Sequence, residues 1–156
     1  FEYIRAADGT TAVVDYAHTP DALENVIETI EEIRRPGQNL IILCGCGGDR
    51  DRTKRPEMAQ IAVKYATTAI FTSDNPRTED PEAILRDMTD GLAPEARYLK
   101  IADRAEAIRT AVMLSRPGDI ILLAGKGHET YQIIGTEKHH FDDREQVRKE
   151  FAAAKR

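Results

Sequence analysis

Short apolar runs that alternate with capped amphipathic helices leave this chain few folds to choose from. Ala12 to Tyr16, Leu40 to Cys44, Thr68 to Thr72, Ala96 to Lys100 and Asp119 to Ala124 read as strands. Three of these are nearly continuous apolar runs, as expected when helices cover both faces of a sheet. Helix starts lie between them. Pro20 opens one with Leu23, Val26, Ile27, Ile30 and Ile33 at helical spacing, stopped by Pro36-Gly37. Another is expected from Pro56 to Tyr65. Asp80-Pro81 opens the next, with Ile84, Leu85 and Met88 on one face and Gly91 as the stop. Asp103 and Glu106 stand at capping-box spacing before Ile108, Val112 and Met113, and Asp142 with Glu145 repeats that spacing before a last helix. Phe1 to Arg5 is expected to pair with the first of these strands across Asp8-Gly9, and Tyr131 to Ile134 with His139 to Phe141 across Gly135. The pattern predicts an α/β fold: a doubly wound, Rossmann-like, mostly parallel sheet with antiparallel additions and helices on both faces.

The 156 residues suit a single domain with one core, spanning 1–156. With 41% hydrophobic and 31% charged residues, the composition is that of a folded protein rather than a disordered one. A net charge of −5 argues against a general nucleic-acid surface, and the longest apolar runs are too short to cross a bilayer. The opening Phe1-Glu2-Tyr3 has no initiator Met, basic leader or signal-like stretch, as expected of a piece of a longer protein. Cys44 and Cys46 are the only cysteines, and a C-x-C pair without nearby His cannot complete a four-ligand zinc site. Two reduced thiols are expected, the first at a buried strand end.

In such sheets ligands bind outside the carboxyl ends of the strands, and the unusual residues fall there. The first strand ends in Asp15-Tyr16-Ala17-His18-Thr19-Pro20. An Asp there can bind a ribose hydroxyl, and the helix start favours phosphate. The same residues also fit a helix capped by Thr19 with a solvated His18. The second strand ends in Gly45-Cys46-Gly47-Gly48-Asp49-Arg50-Asp51-Arg52, followed by Lys54-Arg55-Pro56. Three glycines in four positions permit close backbone approach, and four basic residues against two acidic ones between Asp49 and Arg55 could hold an anion. It is no dinucleotide fingerprint, since Arg50 replaces the third glycine. An exposed charged turn is the alternative.

The third strand ends in Ser73-Asp74-Asn75-Pro76-Arg77-Thr78, where Asn-Pro fixes a bend that holds Asn75 and Arg77. Arginine is the side chain best shaped to grip a carboxylate through two parallel bonds. An ordinary Asx-turn with a surface arginine fits as well. The fifth strand ends in Ala124-Gly125-Lys126-Gly127-His128-Glu129, which lacks phosphate-loop spacing but offers free backbone donors and Glu129 as an acceptor for an ammonium group. Its glycines also serve as simple turn formers. Together the loops place guanidinium groups, an amide, a carboxylate and bare backbone at one sheet edge. That combination suits a zwitterionic amino acid or a nucleotide and specifies no reaction.

The same segments resemble the C-terminal domain of the Mur ligases, specifically the UDP-N-acetylmuramoyl-tripeptide synthetase branch. The similarity runs from Val13-Val14-Asp15-Tyr16-Ala17-His18-Thr19-Pro20-Asp21-Ala22-Leu23 to Asp142-Asp143-Arg144. Its most specific marker is Asp74-Asn75-Pro76-Arg77, the form associated with diaminopimelate-adding members; lysine-adding relatives usually carry something other than Arg at the last position. The Gly45 to Arg50 and Gly125 to Glu129 segments also match, without departure inside the motifs. The resemblance implies that Arg50, Asp74, Asn75, Pro76, Arg77, Gly125 and Glu129 hold meso-diaminopimelate. It implies that Asp15 and His18 lie near the ribose and base of ATP, with Lys54 and Arg55 approaching phosphate.

Such ligases make an acyl phosphate from ATP and the terminal carboxylate of UDP-MurNAc-L-Ala-D-Glu, and an amine then attacks to form an amide. The phosphate loop, the magnesium ligands and the nucleotide-sugar pocket of the family lie in two preceding domains, so no catalytic group and no metal ligand is expected within these residues. The resemblance further implies a monomeric protein of the bacterial cytoplasm, with no nucleic-acid or membrane partner. meso-Diaminopimelate differs from lysine by one distal carboxylate, and an Arg77 left unmatched by lysine could discriminate on the order of 10⁴-fold. Rival readings are a free-standing module that binds an amino acid or nucleotide, a lysine-adding relative, and a folate or cyanophycin relative. Asp74-Asn75-Pro76-Arg77 argues against the last two.

Overall fold

The computed structural model describes residues 1–154. Strands β1 (Glu2–Arg5), β2 (Thr11–Asp15), β3 (Leu40–Cys44), β4 (Thr68–Phe71), β5 (Tyr98–Lys100) and β6 (Ile120–Ala124) form a six-stranded sheet in the order β1-β2-β6-β3-β4-β5. Only β1 is antiparallel to its neighbour, Tyr3 facing Val13 across the Asp8-Gly9 turn. The other pairings are parallel. Strands β7 (Tyr131–Ile134) and β8 (Glu137–His140) form a separate antiparallel ribbon. The α/β class, the mostly parallel sheet and its antiparallel additions match the expectation.

Alternation along each strand builds two apolar layers. Leu40, Ile42 and Cys44 of β3 face one side with Leu23, Ile27 and Ile30 of α1 (Pro20–Ile33), Met58 and Ala62 of α2 (Lys54–Tyr65), and Leu85 and Met88 of α3 (Pro81–Thr89). Ile41 and Leu43 face the other side, against Ala107, Ile108 and Ala111 of α4 (Arg104–Leu114) and Val147 and Phe151 of α5 (Asp143–Ala153). Each fully buried large aliphatic side chain contributes on the order of 1.5–3 kcal/mol of transfer free energy. Two positions counted in the helical periodicity lie outside this core: Ile33 is 58% and Met113 71% exposed. Ile33 is the last residue of α1, and Met113 lies off the face of α4 that buries Ala107, Ile108, Ala111 and Val112.

The helix starts follow their caps. Thr19 Oγ1 accepts from Ala22 N, and the Asp80, Asp103 and Asp142 carboxylates accept from Glu82, Glu106 and Arg144 N. α2 begins two residues earlier than its proline implied, at Lys54, which brings that side chain into the first turn.

β6 enters between β2 and β3, so the sheet reverses its winding there. The ends of β2, β6, β3 and β4 then open on one edge, the switch point where such sheets form a crevice.

Candidate functional site

A cavity of about 370 Å³ lies at that edge. Its lining comes from all four loops: Tyr16, His18 and Thr19 after β2; Gly45, Cys46, Gly47, Arg50, Asp51 and Lys54 after β3; Asp74, Asn75 and Arg77 after β4; Gly125 and Glu129 after β6, with Met58 of α2. Of the residues expected to hold the amino acid, Arg50, Asp74, Asn75, Arg77, Gly125 and Glu129 meet here. Pro76 does not line the cavity; it is buried with its carbonyl against the glycine loop. A β-carbon on Gly48 would sit 1.7 Å from Pro76 O, and one on Gly45 2.1 Å from Thr72 O, so only glycine lets the second and third loops touch. Gly48 N donates to Asn75 O at 2.8 Å across the same contact.

Arg77 is held from two sides. Its φ of 52° lies in the left-handed region, an uncommon conformation for a non-glycine residue. The β7–β8 ribbon sustains it: Arg77 N donates to Ile133 O at 3.1 Å, and Gly135 N donates to Arg77 O at 2.7 Å. The guanidinium is fixed by Nη1 donating to Gly48 O at 3.0 Å. Asn75, 4% exposed, is gripped by the same ribbon, with Oδ1 accepting from Ile133 N at 2.9 Å. Gln132 Nε2 donates to Asp74 O at 2.8 Å. The Asn-Pro bend therefore holds its side chains as expected. The ribbon that clamps it was legible only as a hairpin, with no signal of where it docks.

The expectation that Arg55 approaches phosphate is corrected. Arg55 is 1% exposed and faces away from the cavity. Its Nη1 donates to Glu79 Oε2 at 3.0 Å and Asp87 Oδ2 at 2.9 Å, and its Nη2 to Gly47 O and Glu79 Oε1, each at 2.9 Å. A buried guanidinium needs such partners, and the carboxylates on α3 and just before it supply them. Its work is to tie the glycine loop to α3. Arg55 and Asp49 N hold the Glu79 carboxyl down to about 2 from an ordinary 4.5, chiefly through the Arg55 hydrogen bonds. A carboxyl depressed in the fold contributes stability above its ordinary value and loses it as pH falls toward the depressed one. Urea denaturation at a series of pH values is expected to show stability falling between pH 4.5 and about 2, and Glu79→Gln is expected to flatten that segment.

Asp15 also stays out of the lining, its Oδ2 accepting from Ala17 N at 2.9 Å and shaping the loop that carries His18. His18 is exposed and tilted against Tyr16, ring centroids 4.8 Å apart, with His128 6.2 Å away on the same ring. Lys54 lines the cavity at the start of α2. Burial keeps both thiols protonated, Cys44 far above the usual thiol range and Cys46 pushed up to about 12. No group of three His, Cys, Asp or Glu side chains among the described residues could hold a metal.

Sequence reading missed the charges beneath the cavity. Arg104, which the sequence did not single out, is fully buried. Its Nε and Nη2 donate to Asp143 Oδ1 and Oδ2 at 2.8 and 2.7 Å, and its Nη groups to Ser73 O at 3.0 Å and Ala124 O at 3.4 Å. One guanidinium thus fastens the loops after β4 and β6 to α5.

A sheet edge with guanidinium groups and carboxylates around one cavity has the chemistry to hold a small charged molecule. The chain belongs to the Mur ligase, glutamate ligase domain family, which matches residues 1–127. It is 59% identical over 145 residues to the UDP-N-acetylmuramoyl-L-alanyl-D-glutamate–2,6-diaminopimelate ligase of Bacillus cereus, covering 93% of this chain and 29% of the relative. The enzyme of the same name from Geobacillus thermodenitrificans is 55% identical, covering 92% and 29%. Among solved structures, a ligase of that name superposes with a TM-score of 0.92 at 48% identity, over 99% of this chain and 31% of the other. A folylpolyglutamate synthase from Thermotoga maritima shares the fold, at 18% identity and a TM-score of 0.58 over 80% of this chain and 27% of the other. The chain thus spans under a third of the length of the curated relatives it matches. None of its described helices is long and apolar enough to cross a membrane.

Proposed function

We propose that this chain is the amino-acid-binding and ATP-closing domain of an ATP-dependent ligase that adds meso-diaminopimelate to UDP-MurNAc-L-Ala-D-Glu in peptidoglycan synthesis. The observation that carries the reading is the sharing of one cavity by Arg50 and Arg77 on one hand and Asp74 and Glu129 on the other. A molecule with two carboxylates and two ammonium groups needs both sets. The Asp74 Oδ1 and Glu129 Oε1 atoms are covered and lie 3.9 and 3.6 Å from the Lys126 ammonium. Arg77, its backbone and guanidinium both fixed, takes the distal carboxylate that lysine lacks. Gly125, with φ at 115°, brings bare backbone to the cavity wall, and Asn75 presents its amide nitrogen.

ATP is assigned to the rim. Tyr16, His18 and His128 offer ring faces for the base, and Lys54 at the start of α2 offers charge to phosphate. Magnesium and the groups that activate the acceptor carboxylate are assigned to other parts of a longer, monomeric, cytoplasmic protein. The work of these residues is to orient the amine and shield it.

An assay of the full-length protein with ATP, magnesium and UDP-MurNAc-L-Ala-D-Glu tests the reading. The expected result is stoichiometric ADP and amide formation with meso-diaminopimelate and little with lysine, and no turnover by residues 1–156 alone. Equal use of both amino acids, or amide formation by the 156-residue chain by itself, overturns it. Submillimolar binding of diaminopimelate or ATP to the isolated chain by calorimetry would favour a free-standing module instead.

A further inference from the structure

Among the described residues, two that are not glycine have left-handed backbone: Arg77 and Asp49, the latter with φ at 55°. A residue with a β-carbon stays in that conformation only where its surroundings hold it. Asp49 does not line the cavity, yet Arg50 after it and Arg77 opposite it both do.

Asp49 is locked from the loop after β4. The Thr78 hydroxyl donates to its carboxylate, 2.8 and 2.9 Å from the two oxygens, and Thr78 N donates to Oδ2 at 3.2 Å. Asp49 N donates to Glu79 Oε1 at 2.7 Å, and Glu79 is itself fixed by Arg55. The side chain and the backbone of one residue are thus tied to consecutive residues of the neighbouring loop.

The peptide carbonyls on either side of Asp49 each hold one arginine. Gly48 O accepts from Arg77 Nη1 at 3.0 Å, and Asp49 O accepts from Arg50 Nη1 at 3.0 Å. Peptide planes are rigid, so the two soft dihedrals of Asp49 set the angle between those carbonyls. They thereby set how the two guanidinium groups stand to each other. A β-carbon on Gly47 would lie 2.9 Å from Arg77 Nη1 and 3.5 Å from Arg50 Cγ, so both side chains cross the same stretch of cavity wall. Long cationic side chains fixed before a ligand arrives lose less freedom when it binds.

We propose that Asp49 is a positioning residue for the amino-acid cavity, its locked left-handed backbone aiming Arg50 and Arg77 together at the substrate carboxylates. This rests on the amino-acid reading above. Asp49 touches no substrate; it acts through the two arginines that do.

The test is steady-state kinetics of the full-length ligase, with KM measured separately for meso-diaminopimelate, ATP and the nucleotide acceptor. In Asp49→Ala, KM for diaminopimelate is expected to rise about tenfold, the loss of one charged anchor, with kcat and the other KM values within about twofold of wild type. Asp49→Asn tolerates left-handed backbone and still accepts from Thr78, so it is expected to stay within about threefold of wild type. Thr78→Val is expected to raise the same KM, and adding it to Asp49→Ala to cost little more, since both break one contact. An Asp49 that serves only the fold would lower kcat or raise all three KM values together. That result overturns the proposal, as does an unchanged KM for diaminopimelate in Asp49→Ala, or an Asp49→Asn variant as impaired as the alanine one. None of these outcomes touches the amino-acid reading. A wild-type enzyme that does not use diaminopimelate overturns that reading and the proposal with it. Should Asp49→Ala fail to fold, Thr78→Val decides alone: a higher KM for diaminopimelate only supports the proposal, and an unchanged one overturns it.

Discussion

Arg77→Ala in the full-length ligase is expected to lower kcat/KM for meso-diaminopimelate by on the order of 10³-fold, the consequence of truncating one partner of a desolvated charge pair. For lysine the loss should be far smaller, because lysine offers no distal carboxylate to that guanidinium. The side chain also has a second task, donating to Gly48 O at 3.0 Å, and losing that bond loosens the glycine loop for every substrate. The ratio of the two losses is thus the informative quantity. Steady-state kinetics with both amino acids measure it, and equal losses would show that Arg77 only braces the loop. Arg77→Lys is expected to behave much like the alanine variant, since an ammonium cannot reproduce a forked contact.

Arg104→Met is expected to cost about 3–5 kcal/mol of folding stability, because it strands the Asp143 carboxylate without a counter-ion. Both side chains are fully buried, so water cannot replace the lost bonds, and the Ser73 and Ala124 carbonyls lose a donor as well. Denaturant unfolding of the variant measures the loss. Adding Asp143→Leu should restore much of it, since a buried pair replaced by apolar groups of similar volume is often neutral. An Arg104→Met variant as stable as wild type would show that this ion pair does not hold the loops to α5.

The sheet and most helix starts were readable because each was written locally. Apolar runs such as Leu40 to Cys44 and caps such as Asp80 and Asp103 fix an element with neighbouring residues alone. The four loops could be placed at one edge because parallel topology dictates which strand ends coincide. What stayed hidden depends on long-range pairing. Arg55 and Lys54 are adjacent and equally basic, yet one is buried against Glu79 and Asp87 while the other lines the cavity. The choice is set by α3, which follows a strand and a loop later. Arg104 meets Asp143 across 39 positions, and nothing near either residue announces the other. Lys126 looked like part of a glycine turn because the cost of burying it becomes visible only when its neighbours are in place.

The family match ends at residue 127, whereas the β7–β8 ribbon that grips Arg77 and Asn75 begins at Tyr131. The ribbon adds no strand to the main sheet. The contacts that aim Arg77 thus come from outside the matched residues, whereas the six-stranded sheet lies within them. A different ribbon could re-aim the arginine, or release it, while β2, β3, β4 and β6 kept their register. In this architecture the sheet sets where the loops emerge, and the short appendage after it sets the pose of one arginine.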